Sequence, residues 1–488
     1  MEFLETVVNV EKYIRILILL INTIFALIIV FVQKKEPKSI WAWLLLLYFI
    51  PIIGCVIYLF AGTDMHKKKM FRLKEIKDRI HEAVEIQEEK VLNKKFPQNH
   101  SELEEYADLI LYNLQAGRNV LTDHNKVTIF TNGNDKFQSL SEDLKKAKES
   151  IHLQYYIIKD DVVFQRIKDI LIQKAKEGVE VRILYDGMGC RGLSQKMFKP
   201  LYQEGIKIAE FFPPILKRFH LRLNYRNHRK IVVIDGKVGY IGGFNIGKEY
   251  VGLDQKFGNW RDTHLRIEGS AVFSLQLRFL LDYNYASREN VELTHKYLKN
   301  EIVKDEYSMI QVISCGPDSK VPMIRNNYLR LIHKAKKKIM IQTPYFVPDE
   351  AIISALLIAV QSGIEVLIMI PCKQDHMFVY WASYFYIGEL IKSGAKCYTY
   401  NNGFLHAKGI IVDDIVYCYG TANMDIRSFS LNFEVNVVVY GKKEAKEMIV
   451  LFEEDLKQSS QITKDIYDSR SYIIRFKELF SRLLAPIL

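Results

Sequence analysis

The chain has few of the spacings that build metal or disulfide sites. Its six cysteines (Cys55, Cys190, Cys315, Cys372, Cys397 and Cys418) are scattered over 488 residues. No C-x2-C run and no H-x3-H pair is present, which excludes a zinc cluster and a disulfide framework and points to a reducing compartment. Neither Cys190 nor Cys315 has a Cys-His context, so no thiol nucleophile is expected. A small-residue cleavage site is also missing after the first apolar run, residues 16–32, where Gln33-Lys34-Lys35-Glu36-Pro37 follows instead. That run therefore reads as a retained anchor. Acidic excess is absent: 68 Lys and Arg stand against 57 Asp and Glu, a formal charge of +11. Such a balance favours an anionic partner, either nucleic acid or an anionic membrane surface. With 49% hydrophobic residues the chain can fill two or three domain cores and is not disordered.

What is present is one polar pattern written twice. Residues 227–245 read N-H-R-K-I-V-V-I-D-G-K-V-G-Y-I-G-G-F-N, and residues 405–423 read L-H-A-K-G-I-I-V-D-D-I-V-Y-C-Y-G-T-A-N. His228, Lys230, Asp235, Gly242 and Asn245 recur as His406, Lys408, Asp413, Gly420 and Asn423 without slippage. Two copies imply one site built from two halves. The β-branched run 231–234 predicts a strand with His228 and Lys230 on one face. Asp235-Gly236 predicts a hairpin turn into a return strand over 237–241, after which Gly242-Gly243-Phe244-Asn245 brings an amide back beside the imidazole. In the second copy Asp413-Asp414 makes the turn and 416–419 the return strand.

A duplicated His and Lys suit chemistry on a phosphodiester. One imidazole can attack phosphorus and form a phosphohistidine, while the other, protonated, hands a proton to the leaving alkoxide. Lys230, Lys408, Asn245 and Asn423 would then hold the non-bridging oxygens as charge builds. Charged lysine does not ligate metal, so neither metal nor cofactor is expected. A carboxylate behind an imidazole fixes its tautomer. Glu434, in L-N-F-E-V-N after His406, is read as one such group, and Asp262, in W-R-D-T-H, as the counterpart for His228.

The duplicated H-x-K-x4-D-x6-G-[GT]-x-N resembles the HKD signature of the phospholipase D superfamily. With two N-terminal apolar segments, W-R-D-T-H at 260–264 and N-M-D-I-R-S-F-S-L-N-F-E at 423–434, the chain is most similar to the bacterial cardiolipin synthases over nearly its whole length. The resemblance implies two α/β/α halves related by a pseudo-twofold, with the histidines meeting across the interface. It implies a catalytic set of His228, Lys230, Asp235, His406, Lys408 and Asp413, with His228 as nucleophile and His406 as general acid. Spacing alone leaves the order of the two histidines open, and it reads Asp235 and Asp413 as structural turn residues. The implied reaction converts two phosphatidylglycerols into cardiolipin and glycerol at an anionic membrane, with no nucleic acid expected. Rival readings of the same residues are a phospholipase D releasing phosphatidic acid, a nuclease and a non-catalytic lipid scaffold.

The apolar runs 16–32 and 40–61 predict two membrane helices, the second bent at Pro51. Lys12 and Arg15 before the first, with Lys67, Lys68, Lys69, Arg72 and Lys74 after the second, outnumber Lys34, Lys35 and Lys38 between them. A multi-pass protein of the bacterial cell membrane with cytoplasmic catalytic halves is expected. The basic stretch 66–77 could draw anionic headgroups to the surface, and 77–115 reads as a charged helical connector. From residue 120 strands and helices alternate, predicting a mixed sheet covered by helices. Residues 334–343 answer 146–155, and 363–369 answer 178–184, an internal duplication. The expected division is 1–64 membrane helices, 65–118 connector, 119–300 first half and 301–488 second half. Aromatic stretches at 211–215 and 378–386 are candidate linings of an apolar entrance that excludes water, the second fitting a helix core face equally well. His376 reads as a surface polar residue. The segment 472–488 is amphipathic and basic, expected by default to pack as a C-terminal helix, with a place on the membrane as the alternative.

Overall fold

The computed structural model describes residues 2–32, 37–58, 84–93, 96, 103–213, 225–294, 296–299, 302–319 and 321–485. The basic stretch 66–77, most of the connector's first part, positions 214–215 of one aromatic stretch and the last three residues lie outside the described residues.

The N-terminal unit is a helical hairpin. Glu2–Leu27 is helical and continues through a π-turn at Ile28–Val32. Between Lys12 and Phe31 it is long and apolar enough to cross a membrane. The second run does not form one helix of that length. Proline has no N–H for the preceding turn, and at Pro51 the run divides into Pro37–Phe49 and Pro51–Ile57 around Ile50, whose φ is −131°. Among the described residues the expected second span is therefore two short helices with a bend. The hairpin closes through Ile29, Leu47 and Tyr58, with the Tyr58 ring edge-on to Phe25 and Trp43.

The second unit holds both copies of the repeated pattern. In the first half the strands lie, from the outer edge inward, in the order Lys207–Phe211, Glu180–Asp186, Ser150–Tyr155, Ile231–Ile234, Val238–Gly242, His264–Glu268 and Leu121–Phe130. The second half repeats this, inside one extra antiparallel edge strand Ser459–Ile462, with Lys396–Tyr400, Glu365–Pro371, Lys338–Gln342, Gly409–Val412, Val416–Gly420, Asn432–Tyr440 and Ser308–Cys315. Each outer trio is parallel and each inner part antiparallel. The two sets join where Leu121–Phe130 pairs antiparallel with Ser308–Cys315. The duplication read from sequence is thus a mixed α/β fold in two halves related by a pseudo-twofold through this joint.

Burial follows the same plan. Helices Gly133–Lys146 and Val162–Lys176, capped by Asn132 and Asp161, cover one face of the first set of strands. Met323–Lys334 and Glu350–Gln361 do so for the second. A third core draws on both halves, with Ile231, Leu265 and Ile267 among the same cluster as Ile411, Val435 and Val437. This shared core, which also takes in Val272 and Leu275 of the helix Val272–Ser287 and Met448 and Phe452 of the helix Lys442–Lys457, holds the halves together. Ala107–Gly117, expected as a connector, packs into the second half's core through Leu109, Ile110 and Leu114. Its Asn113 bonds to Gln311 and Asn327.

One buried histidine makes the fold sensitive to acid. His152 stacks on Phe279 at 4.6 Å and 7° and shares a hydrogen bond with Gln276. Burial, with the Arg182 charge second, pushes its imidazole down to about 3. Below pH 6.5 the unfolded chain takes up a proton that the folded chain refuses, so stability falls as pH drops through this window and is unaffected above it. At pH 5 the effect is on the order of 2 kcal/mol. Urea titrations of wild type and His152→Leu at pH 7 and pH 5 should show the loss between the two pH values shrinking by about that amount in the variant.

Candidate active site

Each histidine is delivered by a two-residue strand that pairs with the opposite half. Arg226–Asn227 runs parallel to Asn432–Phe433, and Phe404–Leu405 runs parallel to Trp260–Arg261. The His228 amide then donates to the Phe433 carbonyl at 3.0 Å, and the His406 amide to the Arg261 carbonyl at 2.6 Å. The next residue in each facing strand is a carboxylate. His228 therefore emerges beside Glu434, and His406 beside Asp262.

The carboxylates are accordingly exchanged. His228 Nδ1 lies 3.0 Å from Glu434 and His406 Nδ1 lies 2.6 Å from Asp262. The expectation that Asp262 serves His228 and Glu434 serves His406 is corrected: the short cross-half strands carry each imidazole past its own half's acid. The two acids are held differently. Glu434 accepts from the Thr421 hydroxyl at 2.6 Å and from Asn432 at 3.1 Å. Asp262 sits against Gly243, where a Cβ would come within 2.4 Å of its carboxyl group, so the close approach requires glycine.

The two imidazoles retain slight exposure, whereas Lys230, Lys408, Asp262 and Glu434 are at most 1% exposed. Each lysine folds back beneath its histidine: Lys230 Nζ donates to the His228 carbonyl at 2.7 Å, and Lys408 Nζ donates to the His406 carbonyl. Lys408 also lies 2.6 Å from His406 Nδ1 and 3.7 Å from Asp262. Burial drives the ammonium groups down, Lys230 to about 7 and Lys408 to about 8, against the pull of the two carboxylates. Burial also lowers His228, with Glu434 opposing, and takes His406 to about 4, with Lys408 assisting and Asp262 opposing. For the acids burial acts upward, yet the adjacent cations hold both below the usual range. For Asp262 these are Lys408 and His406, and for Glu434 chiefly His228. An anion arriving at the imidazoles would raise all four bases.

The remaining signature residues do other work. Asp235 and Asp413, part of the catalytic set that the resemblance implied, are not at the imidazoles. Asp235 accepts from the backbone amides of Lys148, Glu149 and Ser150, and Asp413 from those of Lys336, Lys337 and Lys338. Both lie in hairpin turns with two successive positive φ angles, 53° and 64° at Asp235-Gly236 and 52° and 55° at Asp413-Asp414, as the turn type demands. The first return strand begins one residue later than expected, at Val238, and the second begins as expected at Val416. Asn245 has both ends of its amide engaged, accepting from the Ile157 amide and donating to the Tyr250 hydroxyl. Asn423 is buried with its Oδ1 unpartnered.

Several residues around the site carry no spacing signal. Arg229 is fully buried, paired with Asp282 at 2.7 Å, and its guanidinium also donates to the Glu434 and Cys315 carbonyls. It clips the first histidine strand to the second half. Arg261 does the reverse through Asp455 at 2.9 Å. Aromatic rings wall the imidazoles: Tyr156 lies 4.8 Å from His228, Trp260 5.0 Å and Phe404 5.9 Å from His406. Tyr345, whose hydroxyl donates to Asp375, stands 6.4 Å from His406. Arg226 and Arg427 carry charge beside Tyr156. Among the described residues no group of His, Cys, Asp and Glu is placed to hold a metal ion.

Fold and site together define a duplicated two-histidine architecture, in which each half lends its carboxylate to the other's imidazole. The family described as cardiolipin synthase, PLD-like domain matches residues 140–258 and 328–456, and a phospholipase D-nuclease N-terminal family matches 20–62. The chain is 47% identical over 485 residues to the major cardiolipin synthase ClsA of Bacillus subtilis, covering 98% of this chain and 100% of that protein. It is 46% identical over 471 residues to a cardiolipin synthase of Oceanobacillus iheyensis, covering 96% and 97%. Its fold is similar to the crystal structure of phosphatidylserine synthase from Haemophilus influenzae, with a TM-score of 0.59, 13% identity and coverage of 76% of this chain and 97% of that one. The chain belongs to the cardiolipin synthase family of PLD-like enzymes.

The turn aspartates give a direct check on this division of labour. Asp235→Ala removes three charge-assisted acceptor contacts and should lower stability by on the order of 2–3 kcal/mol. Thermal melting should record the loss, while kcat per folded molecule stays at the wild-type value.

Proposed function

We propose that this enzyme moves a phosphatidyl group from one phosphatidylglycerol to another. The observation that carries the reading is the pair of slightly exposed imidazoles, each backed at Nδ1 by a buried carboxylate from the opposite half. The Nδ1 of His228 faces only acceptors, Glu434 and the Thr421 carbonyl at 3.2 Å. Its proton therefore belongs on Nδ1, which leaves the Nε2 lone pair available for attack.

In the first step His228 Nε2 forms a bond to phosphorus of the donor lipid, and the bond from phosphorus to the glycerol headgroup oxygen breaks. The departing oxygen takes a proton from His406, and glycerol leaves. In the second step a headgroup hydroxyl of another phosphatidylglycerol gives its proton to His406 and its oxygen bonds to phosphorus. The phosphorus–nitrogen bond breaks, His228 is regenerated, and cardiolipin is released. His406 enters this cycle protonated although burial lowers it in the empty site. The anionic phosphodiester raises it on binding, with Asp262 at 2.6 Å holding the imidazolium. Lys230 and Lys408 supply positive potential from beneath the histidines as charge builds on the phosphoryl oxygens.

The wider assignments follow from this reading. Residues 119–300 and 301–488 act as the two catalytic halves, with Ala107–Gly117 joined to the second. The apolar segments at 16–32 and 40–61 together enter the bacterial cell membrane as a multi-pass anchor, with both of their outer flanks cytoplasmic by the positive-inside rule. The partner is an anionic bilayer and not nucleic acid.

Purified protein given phosphatidylglycerol in mixed vesicles should yield cardiolipin and glycerol in equal amounts by mass spectrometry. His228→Ala and His406→Ala should each reduce turnover on the order of 100-fold or more. Phosphatidic acid as the main product would make the enzyme a hydrolase, and no lipid turnover would sink the reading.

A further inference from the structure

The helix Tyr472–Leu483 turns its apolar side outward. Tyr472, Ile473, Phe476, Leu479, Phe480 and Leu483 recur at helical spacing and are between 46% and 88% exposed. The inward side is polar: Glu478 and Ser481 are each 2% exposed, and Glu478 is paired with Arg470 at 2.8 Å. A helix whose partner were only its own protein would bury the opposite face. The default expectation of an ordinary packed C-terminal helix thus holds for its polar face alone.

The helix is firmly seated in this orientation. Ala485, just beyond its end, is buried with Val347 and Ala382. Phe480 meets Phe378 at 6.3 Å, Arg482 lies over Phe385 at 4.5 Å, and Lys477 lies over Trp381 at 5.3 Å. These three aromatic partners belong to the helix Met377–Ser393. The exposed stripe continues onto that helix at Met377 and Phe378. Two residues earlier stands Asp375, the acceptor for Tyr345, which itself borders His406. The apolar surface therefore runs to the rim of the two-histidine site.

Charge identifies what covers it. Arg475, Lys477 and Arg482 are exposed on the helix, whose sole carboxylate, Glu478, is buried and neutralised by Arg470. A second copy of the chain meeting this face across a twofold would set like charges together. We propose that the stripe is a docking surface for an anionic bilayer, its aromatic and aliphatic side chains seated at the acyl boundary and its three cations among the headgroups. Docking in this way sets the rim of the site against the lipid surface, so that a phospholipid reaches the imidazoles without crossing water. The inference goes beyond the reaction proposed above, because it concerns how the catalytic unit meets the membrane and not what it does there.

The test uses the full chain reconstituted in vesicles of phosphatidylglycerol and phosphatidylcholine. A bimane label is placed at Leu479→Cys in a Cys55→Ser, Cys372→Ser background, and the readout is independent of turnover. Bromine on the lipid acyl chains should quench the label about twofold or more, while aqueous iodide leaves it nearly untouched. Adding Arg475→Glu, Lys477→Glu and Arg482→Glu should reverse the two sensitivities. Quenching by iodide and not by bromolipid in the unreversed protein overturns the proposal. So does protection from both quenchers, which would mean that protein covers the stripe. Equal bromolipid quenching in vesicles of phosphatidylcholine alone overturns the requirement for an anionic surface.

Discussion

The site depends on one interaction made twice: a buried carboxylate from one half held against the imidazole of the other. Neither contact can form within a single half, because the strands that precede His228 and His406 pair with Phe433 and Arg261 of the opposite half. The shared core between the halves exists in the same place and locks the register of those strands. Arg229 and Arg261, each paired with a buried aspartate, add the second fastening. A buried ion pair is a weak source of net stability but a strong enforcer of geometry once one partner is present. Here it sets where the two imidazoles stand.

The electrostatics follow from burial. Four basic groups and two carboxylates share a small space largely withdrawn from water, so the empty site holds more positive groups than acids to balance them. Burial answers by lowering the bases, Lys230 to about 7 and His406 to about 4. A phosphodiester supplies the missing negative charge, and its binding and the protonation of the general acid are then coupled. Aromatic walls from Tyr156, Trp260 and Phe404 keep the dielectric low at both imidazoles, which strengthens every charge in the site.

Much of this was legible from residues alone. The repeat at a constant offset announced two halves and one site, and strand-turn-strand chemistry placed both hairpins within a residue. The turn reading of Asp235 and Asp413 was physically sound, since a carboxylate next to a β-hairpin turn finds backbone amides before it finds a distant imidazole. What failed was partnership across the interface. Asp262 was assigned to His228 because both lie in the first half, and linear order carries no trace of the two-residue strands that exchange them. Asn245 shows a similar gap: its spacing matches the signature, yet the nearest unsatisfied groups are the Ile157 amide and the Tyr250 hydroxyl. Ala107–Gly117 read as a connector because it follows directly on a heavily charged stretch, although within the helix itself only Asp108 is charged. The bend of the second apolar run at Pro51 was expected, but its division into two short helices, Pro37–Phe49 and Pro51–Ile57, was not, because hydropathy scores the run as continuous and does not weigh how far a proline interrupts the backbone.

The most direct measurement of the account is a pre-steady-state burst with a phosphatidyl p-nitrophenol ester, whose leaving group needs no general acid. His406→Ala should release one equivalent of nitrophenol per enzyme and then stall with the phosphatidyl group on His228, whereas His228→Ala should release none. A burst from His228→Ala, or none from either variant, would contradict the division of roles between the two imidazoles.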